Sequence, residues 1–150
     1  MSAQKIFIWY SDKDEDLAEI LGTHLATLRH YGFIDKIWYS HDISAGTERQ
    51  QEISNRLNDA DFILLLISAY FLSEFGSHSQ GDMRQAFEQH KRGEAHIIPI
   101  LLRYCDYEIT DFSKLQILPI NHKPVTAWRD RNQAFNEVVT EIYKLVRRSK

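Results

Sequence analysis

The chain has 150 residues, 43% hydrophobic and 26% charged, a size and balance expected of a single domain over 1–150 rather than of two domains or a disordered tail. With 18 Lys and Arg against 21 Asp and Glu the net charge is -3, so no overall positive field draws in nucleic acid or an anionic membrane surface. The lone cysteine, Cys105, cannot form an internal disulfide, no basic leader with an apolar stretch opens the chain, and the longest apolar run is FILLLI at 62–67; the expected location is therefore cytoplasmic, without membrane association.

In chain order, KIFIWY (5–10) reads as a buried strand. In DLAEILGTHLATLRH (16–30), Leu17, Ile20, Leu21, His24, Leu25 and Leu28 recur at helical spacing and form one face. KIWYS (36–40) is a second, shorter strand; Thr47 and Gln50 have the spacing of a capping box that opens a helix through Leu57. Phe62 to Ser68 is the most apolar strand and the predicted centre of the sheet, covered on both faces. Met83, Ala86, Phe87 and His90 mark the next helix, and HIIPILL (96–102) a fourth strand in which Pro99 must sit where no ladder donor is needed. KPVTAW (123–128) is a predicted fifth strand. The last helix carries Phe135, Val138, Val139, Ile142, Leu145 and Val146 on one stripe and ends in the cations of KLVRRSK.

Alternating strands and helices imply parallel pairing through right-handed crossovers, hence an α/β three-layer sandwich. The expected form is flavodoxin-like, a five-stranded parallel sheet of order 2-1-3-4-5 with any ligand at the carboxyl ends of strands one and three. The segments reaching that rim are YSDKD (10–14), SHDISAGTE (40–48), SAYFLSEFG (68–76) and RYCDYE (103–108). YSDKDEDLAE lacks the glycines with which a phosphate-binding loop presents its backbone amides. A phosphoacceptor would need an aspartate at the end of the third strand, which ends at Ser68 and Ala69. Asp12, Asp14 and Asp16 read as a solvated cluster in a first helical turn. The seven histidines and one cysteine show no paired ligand spacing, so no metal site is expected.

KIFIWYSDKDED resembles the first sequence box of Toll/interleukin-1 receptor (TIR) domains of bacterial type. IDKIWYSHDISAGTERQQEI resembles their second strand, BB loop and following helix, with Asp42, Ile43 and Gly46 as the loop core. DADFILLLISAYFLSEF is similar to the third strand and the start of the active-site segment, and GEAHIIPILLRYCD with LQILPINHKPVTAWRDRNQAF to the last two strands. The resemblance spans essentially the whole chain.

It implies one of two functions. Many TIR domains cleave NAD+ to nicotinamide and ADP-ribose or a cyclised form when assembled; others only associate with one another. NAD+ would be the substrate, with no cofactor, and the partners would be further TIR domains in an oligomer or filament, in bacterial defence or signalling. A third option is a nucleotide-derived messenger bound uncut at the same rim.

The family's catalytic glutamate follows a Ser-Glu-Trp. Here SEF puts Phe75 in place of the tryptophan, and Asp82 falls at the glutamate's position after a longer spacer, GSHSQG. A carboxylate beside the ribose stabilises the charge that builds at the anomeric carbon, and nicotinamide leaves neutral, so one acid suffices. Asp82 has a second reading: Ser79 and Asp82 have the spacing of a helix cap. Glu74 and Glu88 are rival carboxylates. The resemblance places Tyr10 and Ser11 against the nicotinamide ribose or base. It also puts Trp9 where the family keeps a small residue, so that Trp9 either narrows the pocket or fills core. Asp42, Ile43 and Gly46 would gate the pocket and contact a neighbouring domain.

Overall fold

The structure, a computed structural model, describes residues 3–43, 45–76 and 81–148. Strands β1 (Gln4–Trp9), β2 (Ile34–Tyr39), β3 (Phe62–Ile67) and β4 (His96–Leu101) form one parallel sheet of order β2-β1-β3-β4. Helices α1 (Glu15–His30), α2 (Arg49–Asp59), α3 (Ala69–Phe75), α4 (Gly81–Lys91) and α5 (Arg131–Arg148) cover it.

Side chains of a strand alternate between its faces, and β1 separates the two cores accordingly. Ile6, Ile8 and Tyr10 join Leu17, Leu21, Leu25, Phe135, Val138 and Ile142 under α1 and α5. Phe7 and Trp9 join Ile53, Leu57, Phe71, Met83 and Ala86 under α2, α3 and α4. Every residue of β3 is buried, as expected of the central strand.

The fifth strand expected at 123–128 does not form. Val125–Ala127 is a short 3-10 turn after Pro124, and the place beside β4 is taken by a single bridge between Ile100 and Leu118. Leu101 N donates to Leu118 O at 2.8 Å and Leu118 N to Pro99 O at 2.9 Å. Pro124 has no N–H to give a ladder, and the segment after it closes into the turn at Val125–Ala127. A residue's N–H and C=O point to the same side of a strand, so the donor Pro99 lacks belongs to this outer edge and not to the β3 ladder, as its position in the sequence required.

Helix α2 begins one turn position later than the Thr47–Gln50 spacing implies. Its N-cap is Glu48, without a side-chain cap bond. The expected Ser79–Asp82 cap at α4 involves Ser79, which lies outside the described residues; Gly81, at φ 55, opens that helix.

The acidic cluster at 12–16 is not uniformly solvated. Asp12 and Asp16 are exposed, but Asp14 has no exposure. Asp14 accepts from Ser68 Oγ at 2.5 Å and from Arg103 Nε at 2.8 Å, which joins the chain just beyond β1 to the residues that follow β3 and β4. A carboxylate can be fully buried only where such partners replace its water. Replacing Asp14 with Ala therefore leaves Ser68 and Arg103 unmatched and should cost about 2–3 kcal/mol. Asp16→Ala, at the exposed member, should stay within about 0.5 kcal/mol. Urea unfolding midpoints of the two variants measure the difference; equal midpoints would show that Asp14 is dispensable.

Candidate active site

At the carboxyl end of the sheet, Ser68 Oγ accepts from Phe71 N at 3.1 Å and so caps α3. That helix buries Phe71 and brings Glu74 and Phe75 over the end of β1. Phe75 packs on Trp9 at 5.3 Å between ring centroids and on Phe71 at 5.2 Å. Ser11, fully buried, donates its hydroxyl to Glu74 Oε1 at 2.5 Å and accepts from Lys13 N at 3.3 Å.

A cavity of about 370 Å³ opens here, lined by Trp9, Gln50, Glu74, Phe75, Gly81, Asp82 and Met83. Two carboxylates thus face one space in different states. Glu74 is held by Ser11. Asp82 has no hydrogen bond or ion pair among the described residues, and partial burial pushes its carboxyl above the ordinary value of 3.8.

Of the site residues expected from the sequence, Trp9, Phe75 and Asp82 meet at this cavity. Ser11 reaches it through Glu74. Tyr10 does not. It follows Trp9 in an extended strand and lies in the opposite core, under α1 and α5, with its hydroxyl pushed well up by burial, and further by Glu15 and Asp42. Glu88 is exposed and ion-paired to Arg84 at 2.9 Å, as expected of a solvated helix face.

The segment after β2 starts from Ser40, which is buried; its hydroxyl accepts from Tyr10 N at 3.2 Å. His41 then lies between Asp12, at 3.2 Å, and Glu15, at 3.4 Å; its hydrogen bond to Asp12 holds its pKa above the ordinary 6.5. Beyond it Asp42 is exposed, Ile43 packs at the edge of the Trp9 core, and Gly46 takes φ 88, a conformation that a residue with a Cβ avoids.

Gln50, Gly81 and Met83 are cavity residues that the sequence did not announce as such. Gln50 has capping spacing and Met83 core periodicity, and neither pattern distinguishes a wall from a core. A larger concavity of about 460 Å³ lies on the outer flank of α4 beside residues 111–115. Its carboxylates, Glu88 and Asp111, are already paired with Arg84 and Lys114, and no strand residue lines it. Among the described residues no group of three or more His, Cys, Asp or Glu could hold a metal ion, and no helix is long and apolar enough to cross a membrane.

The family model for the TIR domain matches residues 6–147. The chain belongs to the TIR-domain family. It is 37% identical over 137 residues to protein y4lF of Sinorhizobium fredii, a bacterial relative; the match covers 91% of this chain and 42% of the relative, so the chain spans about two-fifths of that protein's length. In fold it is similar to the TIR domain of the Toll-related receptor TRR-2 from Hydra magnipapillata, with a TM-score of 0.55, 18% identity, and coverage of 95% of this chain and 97% of that one. The TIR fold thus carries the Asp82 cavity at the carboxyl ends of β1 and β3, where open α/β sheets bind ligands.

A carboxyl whose folded pKa lies above its ordinary value stabilises the fold most when protonated. Its contribution is complete at pH below the ordinary value and is lost as pH rises through the raised one. The Asp82→Asn variant should therefore be at least as stable as wild type near neutral pH, with the gap closing on acidification below about pH 4. Thermal unfolding midpoints across pH measure this. A less stable Asn variant at neutral pH would mean that Asp82 is held by favourable contacts instead of being kept free.

Proposed function

We propose that this TIR domain cleaves NAD+, with Asp82 as the working carboxylate, as the self-assembling effector part of a bacterial defence or signalling protein. The observation that supports this reading is that Asp82, with no hydrogen bond or ion pair among the described residues, shares one aromatic-walled cavity at the strand ends with the engaged Glu74.

The chemistry needs little else. As the bond between the ribose anomeric carbon and the pyridinium nitrogen breaks, its electron pair goes to nicotinamide, which leaves neutral. The positive charge remaining on the ribose is stabilised by the Asp82 carboxylate, the kind of fixed charge that contributes most when water is displaced. Water then attacks the anomeric carbon and loses a proton, giving ADP-ribose; attack by an adenine nitrogen gives the cyclic product. Aspartate carries the group on a stem one methylene shorter than glutamate. Gly81, at φ 55, sets where that stem begins, and a misplacement of about 1 Å costs on the order of a hundredfold in rate.

A second reading has its own support. Asp42 is exposed, Gly46 lies in a left-handed turn, and Tyr10 is turned away from Asp82, which suits a loop built to meet another TIR domain and a pocket no longer used. In that reading the domain is a noncatalytic scaffold acting by homotypic assembly.

NAD+ consumption with product identification, on protein forced to assemble, separates the two. Asp82→Ala should lose about 100- to 1000-fold in turnover, while Asp82→Glu retains or raises it. An inactive wild type whose Asp82→Glu variant gains turnover would establish a disabled enzyme and the scaffold role.

A further inference from the structure

Helices α2 and α4 lie side by side and are joined by side-chain amides at successive turns. Farthest from the cavity, Gln89 Nε2 donates to Leu57 O at 2.7 Å. One turn nearer, the Gln85 amide accepts from Ser54 Oγ at 2.9 Å and donates to Asn58 Oδ1 at 2.9 Å. Residues four apart share a helix face, so the next pair toward the cavity is Gln50 on α2 and position 81 on α4. Position 81 is glycine. Gln50 Nε2 lies 3.9 Å from where a Cβ on Gly81 would stand, and Gly81 has no side chain to meet it.

The Gln50 amide is therefore left open at the cavity. The residue is exposed, it lines the space with Gly81 and Asp82, and its side chain has no hydrogen bond among the described residues. Its neighbour Gln51, which does not line the cavity, donates to Asn55 Oδ1 on its own helix at 3.0 Å. Among the described lining residues Gln50 supplies the accessible neutral hydrogen-bonding group: Glu74 and Asp82 are acids, Trp9 is buried, and Phe75, Gly81 and Met83 carry no side-chain donor.

These groups sort the polar atoms of a ligand. Hydroxyls donate most strongly to carboxylates, so sugar hydroxyls belong to Glu74 and Asp82. A primary amide carries donors and an acceptor, and its full complement is a second primary amide, which meets it in a pair of N–H···O bonds. A ketone in that place keeps one bond of the pair. A carboxylate sets an oxygen against Gln50 Oε1 and brings negative charge beside the two acids, where like charges repel.

We infer that Gln50 is a specificity-determining residue whose side-chain amide pairs with the carboxamide of a nicotinamide ring, so that the cavity prefers a pyridinium bearing a primary amide to one bearing a ketone or a carboxylate. The inference rests on the NAD+ reading above and deepens it by assigning recognition of the base to α2. An amide that is solvated in the empty domain and paired in the complex contributes to binding and little to the fold, so its removal costs affinity and leaves stability unharmed.

The first test uses protein labelled with nitrogen-15. The Gln50 side-chain NH2 pair is assigned as the pair missing from the spectrum of Gln50→Leu. Titration of wild type with nicotinamide should move this pair together with the backbone amides of Phe75 and Asp82, and nicotinic acid at the same concentrations should leave it in place. In Gln50→Leu the Phe75 and Asp82 signals should report nicotinamide binding about tenfold weaker. A Gln50 pair that stays in place at every nicotinamide concentration would overturn the assignment, as would an equal response to nicotinic acid.

The second test compares NAD+, acetylpyridine adenine dinucleotide and nicotinic acid adenine dinucleotide as substrates of assembled wild type, Gln50→Leu and the control Gln51→Leu. Gln50→Leu should raise KM for NAD+ about tenfold with kcat and the unfolding midpoint little changed, and should reduce discrimination among the three dinucleotides; Gln51→Leu should do neither. Asp82-dependent turnover with an unchanged KM in Gln50→Leu would remove the Gln50 role while sparing the hydrolase reading. A wild type without turnover whose Gln50 pair still responds to nicotinamide alone would remove hydrolysis while sparing the amide contact.

Discussion

The rim of this domain depends on one buried charge. Asp14 has no contact with water and is matched by Ser68 and Arg103. The match has geometric consequences, since Ser68 is also the N-cap of α3, and α3 determines where Glu74 and Phe75 stand. Glu74 in turn takes the hydroxyl of Ser11, three residues before Asp14. A closed circuit of hydrogen bonds thus runs from the loop after β1 to the end of β3 and back, with Arg103 tying in the end of β4. Such networks rigidify when every member is satisfied, and here rigidity holds one wall of the cavity in place while Asp82, on α4, supplies the other.

Much of the architecture was legible in the sequence. Strong periodicity marked α1 and α5, and the uniformly apolar FILLLI marked the central strand; the residues themselves carry those signals. Parallel pairing followed from the alternation with helices, and the order of the first four strands is that of the expected flavodoxin-like form. The edge did not follow. KPVTAW has strand-like composition, but Pro124 denies it a donor and Val125–Ala127 closes into a turn, while the place beside β4 is taken by a bridge at Leu118. Asp14 was illegible for a different reason. Three acids in one turn look alike along the chain, and what separates them is contact with residues 54 and 89 positions away.

The site was legible to a similar extent and failed at an instructive place. Trp9, Phe75 and Asp82 line one cavity, so residues far apart in the chain that the resemblance singled out meet in space. Tyr10 does not join them, although it is adjacent to Trp9. The two-residue period of a strand puts neighbours on opposite faces, so a motif read as a string of letters groups residues that the sheet separates. Conversely, Gln50 and Met83 reach the cavity from patterns that described a cap and a core.

The resulting picture is of a TIR domain whose cavity sets Glu74, held by Ser11, beside Asp82, which has no hydrogen bond or ion pair among the described residues. A crystal structure with a carbocyclic, uncleavable NAD+ analogue tests this most directly. The expected result is the nicotinamide ring against Trp9 and Phe75, with the anomeric carbon in contact with the Asp82 carboxylate. Ligand seated instead on the outer flank of α4, or in this cavity with Asp82 turned away from the ribose, would contradict it.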